Sequence, residues 1–514
     1  MTDVDSTENT KRIAKNTLIL YVRMLFTMIV SLYTSRVVLN ALGVEDYGIY
    51  NVVGGVVAMF GVLSGSLSAA VGRFITFELG CNNLEKLKKV FSSAITIQIV
   101  LSVIIIVLAE TIGLWFLNNK MVIPTERMMA ANYVYQFSVL TFVVNLISVP
   151  YNAVIIAHEE ISAFAYISIL EVIGKLIVAF TIALSPIDQL VYYGFLLMLI
   201  AVIIRMIYGC YCKSHYEECT YRFIFDKLLI NQMFGFAGWN FIGASSAVFR
   251  DQGGNILVNL FGGTMVNAAQ GIAMQVNHAI QGFVTSFMTA LNPQITKSYA
   301  SGNYDYMKKL IFQGARLSFY LLLVLALPVI INAQYVLRLW LGVVPEHTIL
   351  FMRLVLIFAM SESISTPLIT AMLATGKIRD YQLIVGGLQM MNLPISYLCL
   401  KIGFMPETVI IVAIIMSQCC LAARLILLKD ILQLSVVQYI KKVYLNVIMV
   451  SFIAVLFPLF IYHHTTCNFV QFIINSLICL VCSIVAIYFI GFTHWERNFI
   501  NSKVVLIRNK ILGK

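Results

Sequence analysis

The run Ile95-Thr-Ile-Gln-Ile-Val-Leu-Ser-Val-Ile-Ile-Ile-Val-Leu-Ala109 decides the fold class. A strand crossing a bilayer alternates apolar and polar residues, and this run does not. Leu317–Ile331 fails the same test. In lipid a continuous apolar run satisfies its backbone as a helix. Such runs recur along the whole chain of 514 residues, which is 60% hydrophobic with a mean hydropathy of +0.88. A spanning helix takes about 20 apolar residues, so the length suits about fourteen spans with short loops. Among them are Asn16–Leu42, Tyr47–Leu79, Leu228–Phe261 and Met265–Thr296. The expected architecture is an all-α polytopic membrane protein.

The connections alternate between rich and poor in Lys and Arg. Of the 35 basic residues, 23 fall on one side, in stretches such as Lys86–Lys89, Lys213–Lys227 and Lys297–Lys309. The opposite side carries only Lys120, Arg127, Arg338 and Lys401. The positive-inside rule therefore places both termini on the cytoplasmic side. The basic tail Arg497–Lys514 falls inside, and the turn His463–Cys467 outside. The net charge of +11 follows from this topology and from attraction to anionic lipid, so no nucleic-acid partner is expected. No cleavage site follows a short apolar region near the amino terminus, so the first span reads as uncleaved. Ten cysteines are scattered without the spacing of a zinc site, and no metal is expected.

A repeat emerges at an offset of about 220 residues. Asn83-Leu-Glu-Lys-Leu-Lys88-Lys89 matches Asn303-Tyr-Asp-Tyr-Met-Lys308-Lys309, and Ile147-Ser-x-Pro150 matches Ile364-Ser-x-Pro367. Both copies begin on the same side, as parallel repeats do. The expected organisation is an amino-terminal lobe of six spans (1–225), a carboxy-terminal lobe of six (226–432), and two further spans with a cytoplasmic tail (433–514).

No Walker A motif is present: Gly174-Lys175 and Gly376-Lys377 lack Ser/Thr and the upstream glycine. No loop is long enough for a soluble catalytic domain, so the chain reads as a non-enzyme. Function then rests on polar residues inside spans, which are costly there and usually face a cavity. Eight are basic: Arg23, Arg36, Arg73, Lys175, Arg205, Arg250, Arg316 and Arg353. Arg73, Arg205 and Arg316 lie near basic ends of spans, where snorkelling to headgroups accounts for them. Arg23 and Arg36, with Thr27, Ser31 and Thr34, form a polar stripe on the first span. Lys175 follows Glu171 by four residues, a same-face spacing that suits either mutual neutralisation or a lumen role. Adjacent Arg250 and Asp251 point about 100° apart, so each is expected to meet a partner on another helix. The eighth span presents Asn267, Gln270, Asn277, Gln281 and Thr285 on one face. The substrate-binding candidates are therefore Arg23, Arg36, Arg250, Lys175, Asn277 and Gln281. Asp251 and Glu171 are the candidates for coupling to an H⁺ or Na⁺ gradient; no other cofactor is expected.

Several arginines without matching acids suit an anionic cargo, because the guanidinium fork binds phosphate bidentately. Apolar walls beside hydroxyls and amides suit an amphipathic one.

The block Ser35-Arg36-x-x-Leu39-x-x-Leu42-Gly43-x-Glu45-Asp46-Tyr47-Gly48-Ile49-Tyr50 resembles the first helical hairpin of bacterial polysaccharide transporters. The two Asn-to-Lys-Lys loops and the Pro150 and Pro367 spans extend the resemblance over the chain. That family is the polysaccharide branch of the multidrug/oligosaccharidyl-lipid/polysaccharide exporter superfamily and includes Wzx-type O-antigen and capsule flippases. The resemblance implies two six-helix lobes in a V-shaped bundle, plus two carboxy-terminal helices. It implies a flippase for undecaprenyl-pyrophosphate-linked oligosaccharide, embedded in the lipid bilayer of the bacterial inner membrane and partnered by other glycan-assembly proteins. A cation-coupled multidrug exporter of the same superfamily is the alternative, and it would favour an acid-rich cavity. A membrane polysaccharide polymerase or ligase is a third reading, for which a large outer loop is lacking.

Overall fold

The computed structural model describes residues 3–58, 61–121, 123–222, 226–341, 344–464, 468–494, 496–498 and 501. The basic tail beyond residue 501 and the outer turn at 465–467 lie outside them. Among the described residues the chain is helical, with no strand.

The helices run α1 (Asp3–Ala58), α2 (Gly61–Gly80), α3 (Leu84–Leu108), α4 (Leu114–Lys120), α5 (Met128–Ala157), α6 (Ile161–Thr181), α7 (Gln189–His215) and α8 (Lys227–Ala300). They continue as α9 (Tyr304–Ile331), α10 (Ala333–Leu341), α11 (Thr348–Thr375), α12 (Arg379–Met390), α13 (Asn392–Ile402) and α14 (Thr408–Leu432). The last three are α15 (Val436–Tyr439), α16 (Leu445–His464) and α17 (Phe469–Ala486). Eleven helical stretches among the described residues are long and apolar enough to cross a membrane. The other three expected spans, 47–79, 228–261 and 265–296, are helical over their described residues but richer in glycine and polar residues. They do not join that count.

Two of the longest helices bend at a single glycine. Gly43 in α1 has φ 77° and ψ 171°; Gly263 in α8 has φ 77° and ψ −179°. Only glycine adopts this region without strain, and the two stand at the spacing of the sequence repeat. The left-handed turns follow the same spacing: Asn82 with Gly302, and Glu159 with Gly376. Helix-interior prolines recur likewise, Pro150 in α5 and Pro367 in α11. The duplication is thus written in the backbone as well as in the residues.

The chain gathers into two compact units. The first runs through Ser245 and takes in Thr289–Asn303 and Leu373–Gln382. In it α5 packs against α1, α2, α3 and α7, and α1 lies along α6. Val38, Leu42, Ile49 and Val53 of α1 meet Ala131, Val134 and Tyr135 of α5 in one core. A turn of π-helix at Ala109–Gly113 leaves the Ala109 carbonyl to accept from the Tyr135 hydroxyl at 2.9 Å.

The second unit holds Ser246–Met288, Tyr304–Met372 and the chain from Leu383 onward. Helices α16 and α17, which lie beyond the repeat, pack on α9. Arg316 of α9 donates to the Gly491 carbonyl at 3.0 Å and to Glu496 Oε1 at 2.8 Å, all of it buried. The sequence reading of Arg316 as a snorkelling side chain is therefore corrected: a buried guanidinium needs partners, and the last helices supply them. Arg424, counted with a basic connection, is likewise buried inside α14.

Candidate functional site

The expected site residues divide between the two units. Arg23, Arg36, Glu171 and Lys175 belong to the first; Arg250, Asp251, Asn277 and Gln281 belong to the second.

In the first unit α1 lies along α6, which brings Arg23 onto the polar face of α6. Its Nη1 donates to the Ser168 hydroxyl at 3.2 Å, and the guanidinium stacks over the Phe164 ring at 4.8 Å. Ser168, Glu171 and Lys175 follow one another at helical spacing on that face. Lys175 Nζ stands 2.5 Å from Glu171 Oε1, so the pair neutralises itself. Arg36 is exposed and forms no hydrogen bond or ion pair among the described residues. It is the free cation of the stripe. Arg73 donates to the Ala374 carbonyl at 3.1 Å and stacks on Phe74 and Phe77. Arg205 lies 3.9 Å over the Tyr151 ring.

In the second unit a cavity of about 200 Å³ opens between α8, α11, α13 and α14. Arg250, Asp251, Gln270, Met274, His278, Phe358 and Asn392 are among its lining residues. Helix geometry argued against an Arg250–Asp251 pair, and the structure corrects this. Arg250 Nε donates to Asp251 Oδ1 at 2.8 Å. The long arginine stem bends back across the 100° separation, and the guanidinium then rests 5.1 Å over Phe358. Asn392 enters the cavity because its helix is broken. Pro394 cannot donate to the Met390 carbonyl, so α12 ends at Met390 and α13 begins at Asn392. The sequence reading took this stretch as one span and missed Asn392; Pro394 was the available signal.

The cavity is rich in unsatisfied acceptors. Gln270 Oε1 and Asn392 Oδ1 are buried without partners, beside the Asp251 carboxylate. Three acceptor oxygens suit a cation or the hydroxyls of a sugar. Asn277, further along α8, is buried with its own Oδ1 unpartnered. Gln281 is half-buried, and its backbone carbonyl accepts from Thr285. Asn277 and Gln281 are not among the residues that line this cavity.

Comparison with known proteins agrees with this architecture. The family model described as "Polysaccharide biosynthesis protein" matches residues 13–299, more than half of the chain, and the MatE model matches residues 252–398. No curated protein matches the chain. Among solved structures, the outward-facing conformation of a multidrug resistance MATE family transporter of the MOP superfamily aligns with TM-score 0.72 at 14% identity. That alignment covers 83% of this chain and 96% of the other. A MATE in complex with MaD3S aligns with TM-score 0.71 at 12% identity, covering 83% and 97%. A MOP superfamily transporter from Pyrococcus furiosus, described with a binding pocket of reverse polarity, aligns with TM-score 0.69 at 14% identity, covering 83% and 96%. At these identities the structures show the shared fold. The chain belongs to the polysaccharide biosynthesis protein family, and it shares the multi-helical fold of these MATE and MOP superfamily structures.

Proposed function

We propose that this protein is a membrane transporter of the multidrug/oligosaccharidyl-lipid/polysaccharide superfamily that flips a prenyl-pyrophosphate-linked oligosaccharide across the bacterial cytoplasmic membrane by alternating access. The observation that carries the reading is the polysaccharide-family match over residues 13–299. The unneutralised Arg36 and the aromatic-backed Arg23 give the first unit donors suited to a pyrophosphate. In the second unit the amide and carboxylate oxygens around Arg250 offer acceptors to sugar hydroxyls. Asp251 would couple the cycle to an H⁺ or Na⁺ gradient by pairing alternately with Arg250 and with the ion. Cargo can drive the change of state only through a difference in affinity between the two states. Both termini would lie in the cytoplasm, where the basic connections meet anionic lipid.

A second reading is a cation-coupled multidrug exporter. The MatE match over residues 252–398 favours it, as does the acceptor-rich cavity at Asp251. One experiment separates the two: lipid extracts from a deletion strain and its complemented parent. Prenyl-pyrophosphate-linked oligosaccharide accumulating on the cytoplasmic face, with loss of surface glycan, supports flipping. Unchanged glycan with altered drug susceptibility sinks the flippase and establishes the exporter. If Arg23→Ala and Arg36→Ala export glycan fully at normal protein levels, these arginines are not the pyrophosphate site.

A further inference from the structure

The turn between the fourth and fifth spans is built twice, and the two copies carry opposite charge. In the first copy Glu159 is buried. Its Oε1 accepts from Lys297 at 2.7 Å, and its Oε2 accepts from Arg12 at 2.8 Å and Gln294 at 2.6 Å. Asn16 donates to its backbone carbonyl at 3.1 Å. At the spacing of the repeat, Arg12, Asn16, Glu159 and Gln294 become Gln232, Phe236, Gly376 and Phe74. Those four residues line a single cavity of about 510 Å³ in the first unit. Where one copy holds a carboxylate, the other holds an open space.

That space is lined by cations. Arg73, Lys377 and Arg379 border it, against the single acid Asp380. Arg73 is held in place by its bond to the Ala374 carbonyl and by Phe74 and Phe77, yet its Nε is buried without a partner. Gly376, at φ 74°, keeps the space open: a Cβ there would press to 2.6 Å from the Arg73 guanidinium. Arg379 rests 5.8 Å over the Trp239 ring, and Phe236 forms further wall. In the first copy the cations surround an anion supplied by the chain itself. In the second, the anion has to come from outside.

We propose that this cavity binds a phosphate-bearing anion in the place that Glu159 fills in the other repeat, and that it receives the diphosphate of the prenyl-linked cargo at a separate step of the cycle from Arg23 and Arg36. The second half rests on the flippase reading above; the first does not. Arg73 and Arg379 offer guanidinium forks and Lys377 a point charge, the donor set suited to phosphate. Trp239 and Phe236 supply an apolar flank for the first isoprenes. The site is distinct from Arg23, Arg36 and Arg250.

The test uses the full chain in detergent, with Trp115, Trp340 and Trp495 changed to Phe so that Trp239 fluorescence reports on the cavity. Farnesyl pyrophosphate should change the signal saturably, and farnesol should not. Lys377→Ala with Arg379→Ala should raise Kd by about tenfold or more, the loss of one or two charge-assisted bonds. Gly376→Glu supplies the chain's own carboxylate, as Glu159 does at a similar φ, and should abolish the response. Lys88→Ala, which removes a cation outside the cavity, should leave it unchanged. An equal response to farnesol, or one that survives Gly376→Glu, overturns the site. Inorganic pyrophosphate binding as tightly as farnesyl pyrophosphate keeps the phosphate site and overturns the lipid-borne occupant. Binding that persists although the deletion strain accumulates no lipid-linked glycan keeps the site and removes only its cargo. Loss of binding with that accumulation intact removes the site alone.

Discussion

The joint at the opposite end of the repeat is also made twice, once with a permanent charge and once with a titratable one. In the first unit Arg127 binds Asp46 through Nε at 2.8 Å and Asp188 through Nη1 at 2.5 Å. Asp188 also caps α7, accepting from the Leu190 and Val191 amides. In the second unit the matching positions are His347 and Glu407, with Nδ1 2.6 Å from Oε1. Glu407 is buried, and its other oxygen has no partner. The two joints tie the same pair of helix starts. What differs is the partner: a guanidinium charged at every working pH, against an imidazole charged only when protonated. With Glu159 against Gly376, this shows a duplication that keeps its bends and turns while reassigning its charges. At these two places the first copy holds fixed ion pairs, and the second holds a titratable pair and an open cavity.

The contrast is sharpest at Glu159. Glu159→Ala would leave Arg12 and Lys297 facing each other without the carboxylate between them. Removing one partner from a buried pair costs about 3–5 kcal/mol, so thermal unfolding in detergent should fall steeply. Adding Lys297→Met to Glu159→Gln should recover much of the loss, because the remaining strain is an unpaired charge. A cost under about 1 kcal/mol for Glu159→Ala would break the idea that the first copy is closed electrostatically.

The bends come next. Gly43→Ala and Gly263→Ala each force a side chain into a region that is essentially glycine-only, at about 1–3 kcal/mol. Because the two glycines share their backbone angles, their costs should be equal. Unequal unfolding midpoints would mean that the surroundings, and not the backbone, hold one of the bends.

The joints themselves give a smaller effect with a pH signature. Arg127→Met should cost about 1–2 kcal/mol, since the bonds are charge-assisted but partly exposed. Burial pushes the Asp188 carboxyl up, yet Arg127 and the α7 amides outweigh it and hold the group below its usual range. A depressed carboxyl contributes stability above its ordinary pKa and loses it as pH falls through the depressed value. The Arg127→Met penalty should therefore be flat from pH 8 to about pH 5 and shrink only in stronger acid. The His347→Ala penalty should be smaller, because one imidazole contact to one carboxylate stands where the guanidinium binds two. Equal penalties for the two variants would erase the distinction between the joints.

The helical class was legible because lipid imposes it on every residue of a span. Ile95–Ala109 has no other solution in a bilayer, and Gly43 already stood in the most specific part of the family-like block. The charges were less legible because their partners are remote. Nothing in His158–Ile161 marked Glu159, whose four polar partners come from α1 and the end of α8. Arg316 and Arg424 were assigned by nearness to a span end, and only packing shows them buried. The Arg250–Asp251 pair was rejected from helix geometry, which fixes Cβ directions but not where a long arginine stem ends. The Lys175–Glu171 pair was legible because both partners share one helix face.

That last pair gives the smallest expected effect and the finest comparison. Lys175 and Glu171 lie on α6 at a spacing that any helix allows, with side chains 45% and 34% exposed. The Glu159 carboxylate is 2% exposed. If water reaches the α6 pair, Glu171→Gln should cost less than about 1 kcal/mol, because an exposed ion pair gains little over its hydrated parts. A cost near that of Glu159→Ala would place the pair out of water and make it a structural bond like the one in the turn. The low cost carries the more interesting consequence. A pair that contributes little to stability while occupying a span is free to exchange partners. Glu171→Gln should then leave the unfolding midpoint in place while changing the pH dependence of export. An unchanged midpoint with an unchanged pH profile would leave Glu171 without a part in coupling, and Asp251 as the remaining candidate.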